Sequence, residues 1–269
     1  MSRPFTPSRP GQRPGPRRFS RPGEPERRTD GHVLLYGLHT VEAALNNPRR
    51  VIHNLKVTRN ALARLMERDL TLPVEPEMVE VRTIDRLVPR DAVHQGVLLE
   101  TEPLDTLPLK ELGQQAKLIL ALDQVTDPHN VGAVLRSAVA LGADAVITTN
   151  RHSPEETGVL AKAASGAVDL ITHLSVSNLA KALTELTDEG FTAIALDSAG
   201  EADLEAVDTG AKTILVMGSE GKGVRPGVRA ACTTLARLDM PGAIRSLNVS
   251  NAAAIALFVV SRHQAARQG

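Results

Sequence analysis

Residues 117–149, KLILALDQVTDPHNVGAVLRSAVALGADAVITT, carry the clearest pattern of secondary structure in the chain. Its apolar run at 118–122 is typical of a strand that is buried on both faces of a sheet. A helical pattern follows over 131–141 and ends at Gly142, and a second strand is predicted over 145–148. A strand, a helix and a strand in this order predict a parallel α/β sheet.

The alternation of strands and helices continues to the C-terminus. Ligands of such sheets bind at the carboxyl ends of the strands, so the loops at those ends are the candidate functional site. These loops follow residues 122, 196, 217 and 238. Further strands are predicted over 191–196, 213–217 and 235–238, and helices over 157–164, 178–189 and 248–264.

The residues before this sheet divide into three parts. Residues 1–30 hold eight Arg, seven Pro and three acids, a formal charge of +5. This composition predicts a disordered basic arm, which suits RNA but equally a solvated tail. Residues 31–103 have the pattern of a compact mixed unit, and 104–116 form a predicted linker to a domain over 117–269. In the mixed unit, helices are predicted over 37–45, 61–69 and 84–88, and strands over 51–57, 79–81 and 96–100.

Composition excludes several classes of protein. The chain has 269 residues with 31 basic and 31 acidic side chains, so residues 31–269 carry −5. Its single cysteine, Cys232, excludes an intramolecular disulfide and a zinc site built from several cysteines of one chain. No apolar run reaches membrane-spanning length, and the N-terminus lacks the apolar segment of a secretory signal. We therefore expect a cytoplasmic protein that binds neither membrane nor metal.

The first candidate loop leads into the helix predicted over 131–141. Asn130 stands where a helix N-cap is expected. Arg136 lies on an otherwise small and apolar helix, so it needs a partner or an anionic ligand. From spacing alone, a plain cap is favoured for Asn130. A solvated face, or an ion pair with Asp123 or Asp127, is favoured for Arg136.

The second and third loops are rich in glycine and in polar side chains. GSEGKGVR at 218–225 lacks the Lys-Ser/Thr that ends a Walker A loop, and Pro226 excludes the dinucleotide-binding GxGxxG pattern. Three glycines in six residues directly after a strand still imply close approach to a ligand. In the third loop, Ser246 and Asn248 suit either a helix cap or a ligand.

Together the loops resemble the SpoU (TrmH-type) family of RNA ribose 2′-O-methyltransferases, within the SPOUT superfamily. The resemblance is specific because the motifs occur in the right order over about the last 150 residues. The matching stretches are DPHNVGAVLRSAVALGAD at 127–144, KAASGAVD at 162–169, LVMGSEGKGVR at 215–225 and MPGAIRSLNVSNAAAIAL at 240–257.

The N-terminal unit carries a second, less specific resemblance. YGLHTVEAAL at 36–45 and HQGVLLE at 94–100 resemble the small L30e-like RNA-binding domain of a subset of this family. That subset includes enzymes that methylate a guanosine of large-subunit ribosomal RNA. The two resemblances imply an α/β fold, with a parallel-sheet SPOUT methyltransferase domain that carries a C-terminal trefoil knot. They also imply S-adenosylmethionine as cofactor, ribosomal RNA as substrate, and a homodimer with the site completed near the subunit interface.

The resemblance assigns roles to ten residues. Arg136 is expected at the ribose hydroxyl and adjacent phosphate, and Glu220 as proton acceptor or as organiser of Arg136. Asn130 and Asn248 would orient the loops and the substrate, and Ser246 would bond near the ribose or the cofactor. The residues expected to bind the cofactor are Met217, Gly218, Gly223, Leu238 and Leu247, although ordinary packing accounts equally well for the leucines.

Three alternatives stay open at this point. The same chemistry could act on transfer RNA, or the chain could be an RNA-binding relative without catalysis. A nucleotide-dependent oxidoreductase is the third, against which the missing GxGxxG argues. Aromatic residues are scarce, and Phe191 and Phe258 have the pattern of core residues. RNA recognition is therefore expected to depend on shape, phosphates and the 2′-hydroxyl, as in a structured stem-loop.

Overall fold

The computed structural model describes residues 31–68, 70–151 and 153–268. The predicted basic arm, residues 1–30, lies outside the described residues. The N-terminal unit contains a four-stranded sheet in the order β1–β4–β2–β3, where β4 is antiparallel to both of its neighbours and β3 is parallel to β2. Its elements are β1 (Val33–Tyr36), α1 (Leu38–Asn46), β2 (Ile52–Val57), α2 (Arg59–Met66), β3 (Glu77–Met78), α3 (Val81–Asp85) and β4 (Val97–Thr101).

The C-terminal part is built on a seven-stranded sheet in which every neighbouring pair is parallel. Its strands are β5 (Leu118–Asp123), β6 (Ala145–Thr149), β7 (Thr172–Val176), β8 (Thr192–Leu196), β9 (Ala202–Asp203), β10 (Thr213–Gly218) and β11 (Thr234–Arg237). Their spatial order is β7–β6–β5–β10–β8–β11–β9. The helices are α4 (Leu109–Gln115), α5 (Pro128–Ala140), α6 (Gly158–Ala164), α7 (Leu179–Asp188), α8 (Pro226–Arg229) and α9 (Val249–Gln268). The predicted α/β class with a parallel sheet is confirmed, and the trefoil knot stays a prediction.

Helices cover both faces of the larger sheet. Leu118, Leu120 and Leu122 of β5 pack in one core cluster with α5 and α9. Ile119 and Ala121, which alternate with them, pack in a second cluster with α7. Both sets are fully or almost fully buried, which explains why this strand is an unbroken apolar run.

Some predicted elements are wrong or incomplete. The strand predicted over 79–81 is absent, because the edge strand is β3 and Val81 begins α3. Both residues of β3 and the side chain of Val81 are exposed. The order of apolar and polar residues in this segment therefore does not follow burial in a core. No strand or helix is predicted from the sequence at the positions of β1, β7, β9 and α8.

The stretch predicted as a linker, 104–116, includes α4. Leu112 of this helix is buried in the second core cluster beside Leu186 of α7. The C-terminal end of this stretch therefore packs on the larger sheet, while the boundaries at 31, 103, 116 and 269 stay predictions. Among the described helices, none combines the length and apolar character needed to cross a membrane.

Candidate active site

Three loops meet at the carboxyl edge of the larger sheet. Asp123 at the end of β5 is in register with Gly218 at the end of β10, and Leu196 at the end of β8 pairs with both Met217 and Ala236. The loops that leave β5 and β10 therefore start side by side, and the loop that leaves β11 starts two strands further along, beyond β8. This is the edge at which the sequence placed the functional site.

The loop after β5 enters α5 through a capped first turn. Asp127 is the N-cap, because its side chain accepts a hydrogen bond from the backbone N of His129 at 3.0 Å. Pro128 occupies the first turn, where its missing N–H has no cost. The interpretation of Asn130 as a plain cap is thus wrong. The amide of Asn130 is left for contacts with the other loops.

Asn130, Glu220 and Asn248 form one hydrogen-bonded group, although they come from the first turn of α5, the loop after β10 and the position before α9. Asn248 Nδ2 donates to Asn130 Oδ1 at 3.0 Å and to Glu220 Oε1 at 2.9 Å. Glu220 Oε1 also lies 3.4 Å from the backbone N of Val249, in the first turn of α9. Asn248 Oδ1 in turn accepts from the backbone N of Ser250 at 2.8 Å and so caps α9. Three of the five predicted catalytic residues are therefore brought together.

Arg136 and Ser246 lie outside this group. Arg136 is exposed on α5, and within the described residues its guanidinium makes neither a hydrogen bond nor an ion pair. The suggested partners are already engaged, since Asp127 caps α5 and Asp123 binds Arg225. Ser246 is exposed on the loop before α9. Both side chains are therefore accessible to a ligand.

The loop after β10 is folded tightly back on itself. The backbone N of Gly223 donates to Ser219 O at 3.0 Å, and a Cβ added to Gly218 would lie 2.0 Å from the carbonyl carbon of Gly223. Gly221 and Gly223 have φ values of +78° and +65°, which favour glycine. The loop is therefore tightly packed at Gly218 and Gly223, while the backbone at Gly221 has open space beside it. This glycine cradle fits a ligand that is held mainly by backbone groups.

A buried carboxylate anchors this loop. Asp123 Oδ2 accepts from the backbone N of Arg225 at 2.9 Å, and Asp123 Oδ1 accepts from Arg225 Nε at 2.8 Å. Arg225 Nη2 lies 2.7 Å from the same oxygen, while the Asp123 side chain has no solvent exposure. The hydrogen bond that Arg225 donates to Asp123 raises the pKa of Arg225. This pair was not predicted from the sequence. An acidic residue at the end of a buried strand could have indicated it, because a buried carboxylate needs a positively charged partner.

A second carboxylate lies against the loop. A Cβ on Gly223 would lie 2.9 Å from Asp197 Oδ2, and the same oxygen accepts from Arg229 Nη2 at 2.9 Å. Asp197 directly follows β8, as Asp123 ends β5. Two acidic residues at strand ends therefore flank the glycine-rich loop.

The remaining residues predicted to bind a cofactor differ in exposure. Met217 is 4% exposed and lies in the first core cluster, so only its backbone can face the site. Leu238 is half-buried against the same cluster. Leu247 is 39% exposed and Ile244 is 75% exposed on the loop before α9. The loop thus presents apolar side chains as well as polar ones beside the glycine cradle.

One group of potential metal ligands occurs within the described residues, and it lies in the N-terminal unit. His32, His53 and Glu102 place one ligand atom each within 4.8 Å of one another. The two imidazole rings are stacked, with centroids 4.1 Å apart and planes 12° apart. Their lone pairs lie in nearly parallel planes and do not converge on one ion. The expectation that the protein needs no metal stays a prediction.

Comparisons with known families match both parts of the chain. Residues 117–258 match the model of the SpoU rRNA Methylase family. Residues 34–107 match the model described as RNA 2′-O ribose methyltransferase substrate binding. These are the two resemblances that the sequence motifs indicated, and both are confirmed.

Individual relatives cover nearly the same length. The 23S rRNA (guanosine-2′-O-)-methyltransferase RlmB of Pseudomonas syringae pv. tomato is 37% identical over 248 residues, which cover 87% of this chain and 97% of the relative. RlmB of Pseudomonas aeruginosa is 38% identical over 86% of this chain and 96% of its own. The fold is similar to that of the SpoU methyltransferase AviRb from Streptomyces viridochromogenes in complex with the cofactor AdoMet. That similarity has a TM-score of 0.74 at 21% identity and covers 88% of this chain and 92% of that chain. This chain belongs to the SpoU rRNA methylase family.

Proposed function

We propose that this protein transfers a methyl group from S-adenosylmethionine to the ribose 2′-oxygen of a guanosine in large-subunit (23S-type) ribosomal RNA. The observation that carries the proposal is the similarity to RlmB enzymes over both the catalytic and the substrate-binding parts. A transfer-RNA enzyme is less well supported, because the relatives named for 23S rRNA align with the N-terminal unit as well. The reaction would take place in the cytoplasm.

The residues of the carboxyl edge fit the proposed cofactor. Gly218 and Gly223 hold the loop after β10 in a tight fold that leaves open space beside Gly221. Leu247 offers an exposed apolar side chain for the adenosyl part, and Leu238 directly follows β11. When bound, S-adenosylmethionine supplies a methyl group already activated by its sulfonium, so the protein needs no covalent intermediate. The task of the chain is to hold the ribose oxygen in line with that methyl group. Positioning of this kind can contribute roughly 7–11 kcal/mol.

Arg136 is the residue to which we assign stabilisation of charge. Its guanidinium is exposed and keeps its proton throughout, so it cannot serve as a base. It can instead stabilise the alkoxide that develops on the 2′-oxygen and contact the adjacent phosphate. Ser246, also accessible, can donate to the ribose or to the cofactor.

Glu220 is assigned as the organiser of the loops. Its carboxylate accepts from Asn248 and lies at the N-terminus of α9. Glu220 orders Asn248 and Asn130, and these amides in turn set the distance between the loop after β10 and the start of α5.

We further propose that the protein acts as a homodimer that uses the exposed face of α9. Ile255 and Phe258, one turn apart on this helix, are 45% and 56% exposed, and Leu247 is close to its start. The expectation that Phe258 belongs to the core of one chain is wrong, whereas Phe191 is buried as expected. A second copy would cover this apolar face, which begins at the candidate site.

The test uses purified protein and methyl-labelled S-adenosylmethionine with unmodified ribosomal RNA and, separately, transfer RNA. We expect label on one guanosine ribose of the large-subunit RNA. Label on transfer RNA alone would keep the chemistry but overturn the proposed substrate. Cofactor binding without transfer to either RNA, or to immature ribosomal particles, would favour a non-catalytic RNA binder.

The Arg136→Ala variant separates catalysis from binding. It should abolish transfer while S-adenosylmethionine affinity stays within about twofold of the wild-type value, because Arg136 makes no hydrogen bond or ion pair with the described cofactor-loop residues. Normal turnover by this variant would overturn the assignment of Arg136.

A further inference from the structure

The N-terminal unit is joined to the catalytic domain by a buried ion cluster of Arg50, Glu156 and Asp169. Arg50 Nε donates to Asp169 Oδ1 at 2.7 Å, and Arg50 Nη2 donates to Asp169 Oδ2 at 3.3 Å. The same Nη2 lies 2.6 Å from Glu156 Oε1. The side chains of Arg50, Asp169 and Glu156 are 0%, 1% and 12% exposed. One guanidinium thus binds two carboxylates that stand more than 100 residues away in sequence.

The cluster also includes the chain that connects the two domains. Arg50 Nη1 donates to the backbone carbonyl of Glu102, where β4 ends, at 3.0 Å. Glu156 Oε2 accepts from the backbone N of Leu104 at 3.1 Å. The N-terminal unit, the start of the connecting segment and the catalytic domain are therefore held at one point.

The geometry of this contact is restrictive. Burial of charge is costly unless every charge is paired, so the cluster is stable only when its three side chains are correctly placed. Burial alone would lower the pKa of Arg50, but Asp169 and Glu156 raise it, so the guanidinium stays charged. A planar guanidinium that binds a carboxylate through two nitrogens also fixes their relative orientation. The cluster therefore sets an angle between the domains as well as a distance.

Backbone contacts beside the cluster enforce the same arrangement. A Cβ added to Gly158, at the start of α6, would lie 2.3 Å from the backbone oxygen of Leu34 in β1. A Cβ added to Gly166 would lie 3.0 Å from His39 O in α1. Thr40 Oγ1 donates to Ala161 O in α6 at 3.3 Å. Because no side chain separates these elements, the interface leaves little room for sliding.

We propose that Arg50 is a positioning residue which, through this cluster, fixes the RNA-binding domain relative to the catalytic loops and so selects the ribose that is methylated. The inference rests on the proposed function. RNA held by the N-terminal unit can present to Arg136 only a nucleotide at the matching distance and angle. If the domain is released, other riboses reach the site and the correct one arrives less often.

The test compares Arg50→Gln with Arg49→Gln. Arg49 is the adjacent residue and is exposed, and its side chain makes none of the cluster's bonds, so its replacement removes the same charge and keeps the bonds of Arg50 to Asp169 and Glu156. For Arg50→Gln we expect a larger radius of gyration by X-ray scattering and an unchanged S-adenosylmethionine affinity. We also expect kcat/KM for ribosomal RNA to fall at least tenfold, and methyl label at additional riboses. Arg49→Gln should keep the wild-type radius and a single methylated ribose.

A second variant covers the case in which Arg50→Gln does not fold. Asp169→Asn changes the formal charge of the cluster from −1 to 0 and keeps the pair of Arg50 with Glu156, so it perturbs folding less. It should show the same changes at smaller amplitude. The proposal would be overturned if both variants showed the wild-type radius of gyration and a single methylated ribose. It would also be overturned if neither variant folded, because the cluster would then be needed for folding only. If the wild-type protein labels no RNA, the proposed function fails, and scattering still reports whether the cluster fixes the domains.

Discussion

Removal of the Arg225 side chain should loosen the glycine-rich loop while the fold stays intact. In Arg225→Ala the hydrogen bonds from Nε and Nη2 to Asp123 are lost, and the bond from the backbone N of Arg225 remains. Asp123 is then left buried with one backbone partner. The loop that carries Glu220 and the glycine cradle loses its main side-chain anchor.

The size of the effect follows from the exposure of the two partners. Breaking a fully buried pair costs roughly 3–5 kcal/mol, and an exposed pair contributes about 0–1 kcal/mol. Asp123 is fully buried, but 43% of the Arg225 side chain is exposed, so water can replace some of the lost bonds. We therefore expect about 2 kcal/mol of lost stability, which lowers the Tm by roughly 4–8 °C. If this loss falls on the loop alone, cofactor affinity decreases by up to about 30-fold.

Calorimetry measures both quantities, with Tm from scanning and the Kd for S-adenosylmethionine from titration. Lys222→Ala is the matched control, because it removes a positive charge from an exposed side chain of the same loop that has no partner within the described residues. We expect the control to keep the wild-type Tm and Kd. Equal values for Arg225→Ala and Lys222→Ala would refute the anchoring role of Asp123.

Other predictions address separate parts of the molecule. Glu220→Gln keeps an oxygen that can accept from Asn248, so it should retain most of kcat, whereas Glu220→Ala should lose it. Equal loss in both variants would instead identify Glu220 as the base. Burial lowers the pKa of His173 from 6.5 to about 4 in the folded protein. As the pH falls, the unfolded chain therefore binds a proton at His173 before the folded protein does. The free energy of unfolding thus decreases between pH 6.5 and pH 4. We expect the free energy of unfolding, measured with denaturant, to be lower at pH 5 than at pH 7.5. In His173→Gln this difference should be smaller than in the wild-type protein by up to about 2 kcal/mol. Phe258→Asp should convert a dimer to a monomer in light scattering, while Met66→Asp, at 53% exposure on α2, should not. Deletion of residues 1–30 should weaken RNA binding and flatten its salt dependence, and equal affinity across salt concentrations would leave the arm without a role in binding.

The parts of the fold that sequence patterns predicted are those with extensive burial. β5 and β10 lie at the centre of the larger sheet, and their unbroken apolar runs were identified within one residue of their observed bounds. β7 was missed because it is an edge strand with a single fully buried apolar residue, Leu174, so it has neither an apolar run nor a regular alternation. Phe258 was misplaced for a related reason. An apolar residue on a helix has the same pattern whether its own chain or another surface covers it.

The polar contacts were harder to predict, because sequence gives a residue type without its partner. Arg49 and Arg50 are adjacent and identical, yet Arg49 is exposed and Arg50 is buried against Asp169, 119 residues further along the chain. Asp123 was considered as a partner of Arg136, and its true partner is Arg225, 102 residues away. In both cases a buried acidic residue requires a positively charged side chain as its partner. That requirement predicts that a pair exists, and only the tertiary structure shows which cation forms it.

The ion pairs and hydrogen bonds at the candidate site limit which residue can accept the proton of the 2′-hydroxyl. Arg136 had two acidic candidates nearby in sequence, and both are engaged elsewhere, so within the described residues its exposed guanidinium has no acidic partner. Glu220 is held by Asn248 and by the backbone N of Val249 at the start of α9. An uncompensated cation lowers the energy of a nearby alkoxide, and therefore the pKa of the hydroxyl itself. A hydroxyl made more acidic in this way can lose its proton to a weak acceptor such as water. The free cation and the tethered carboxylate together thus favour catalysis by charge stabilisation over catalysis by a strong base.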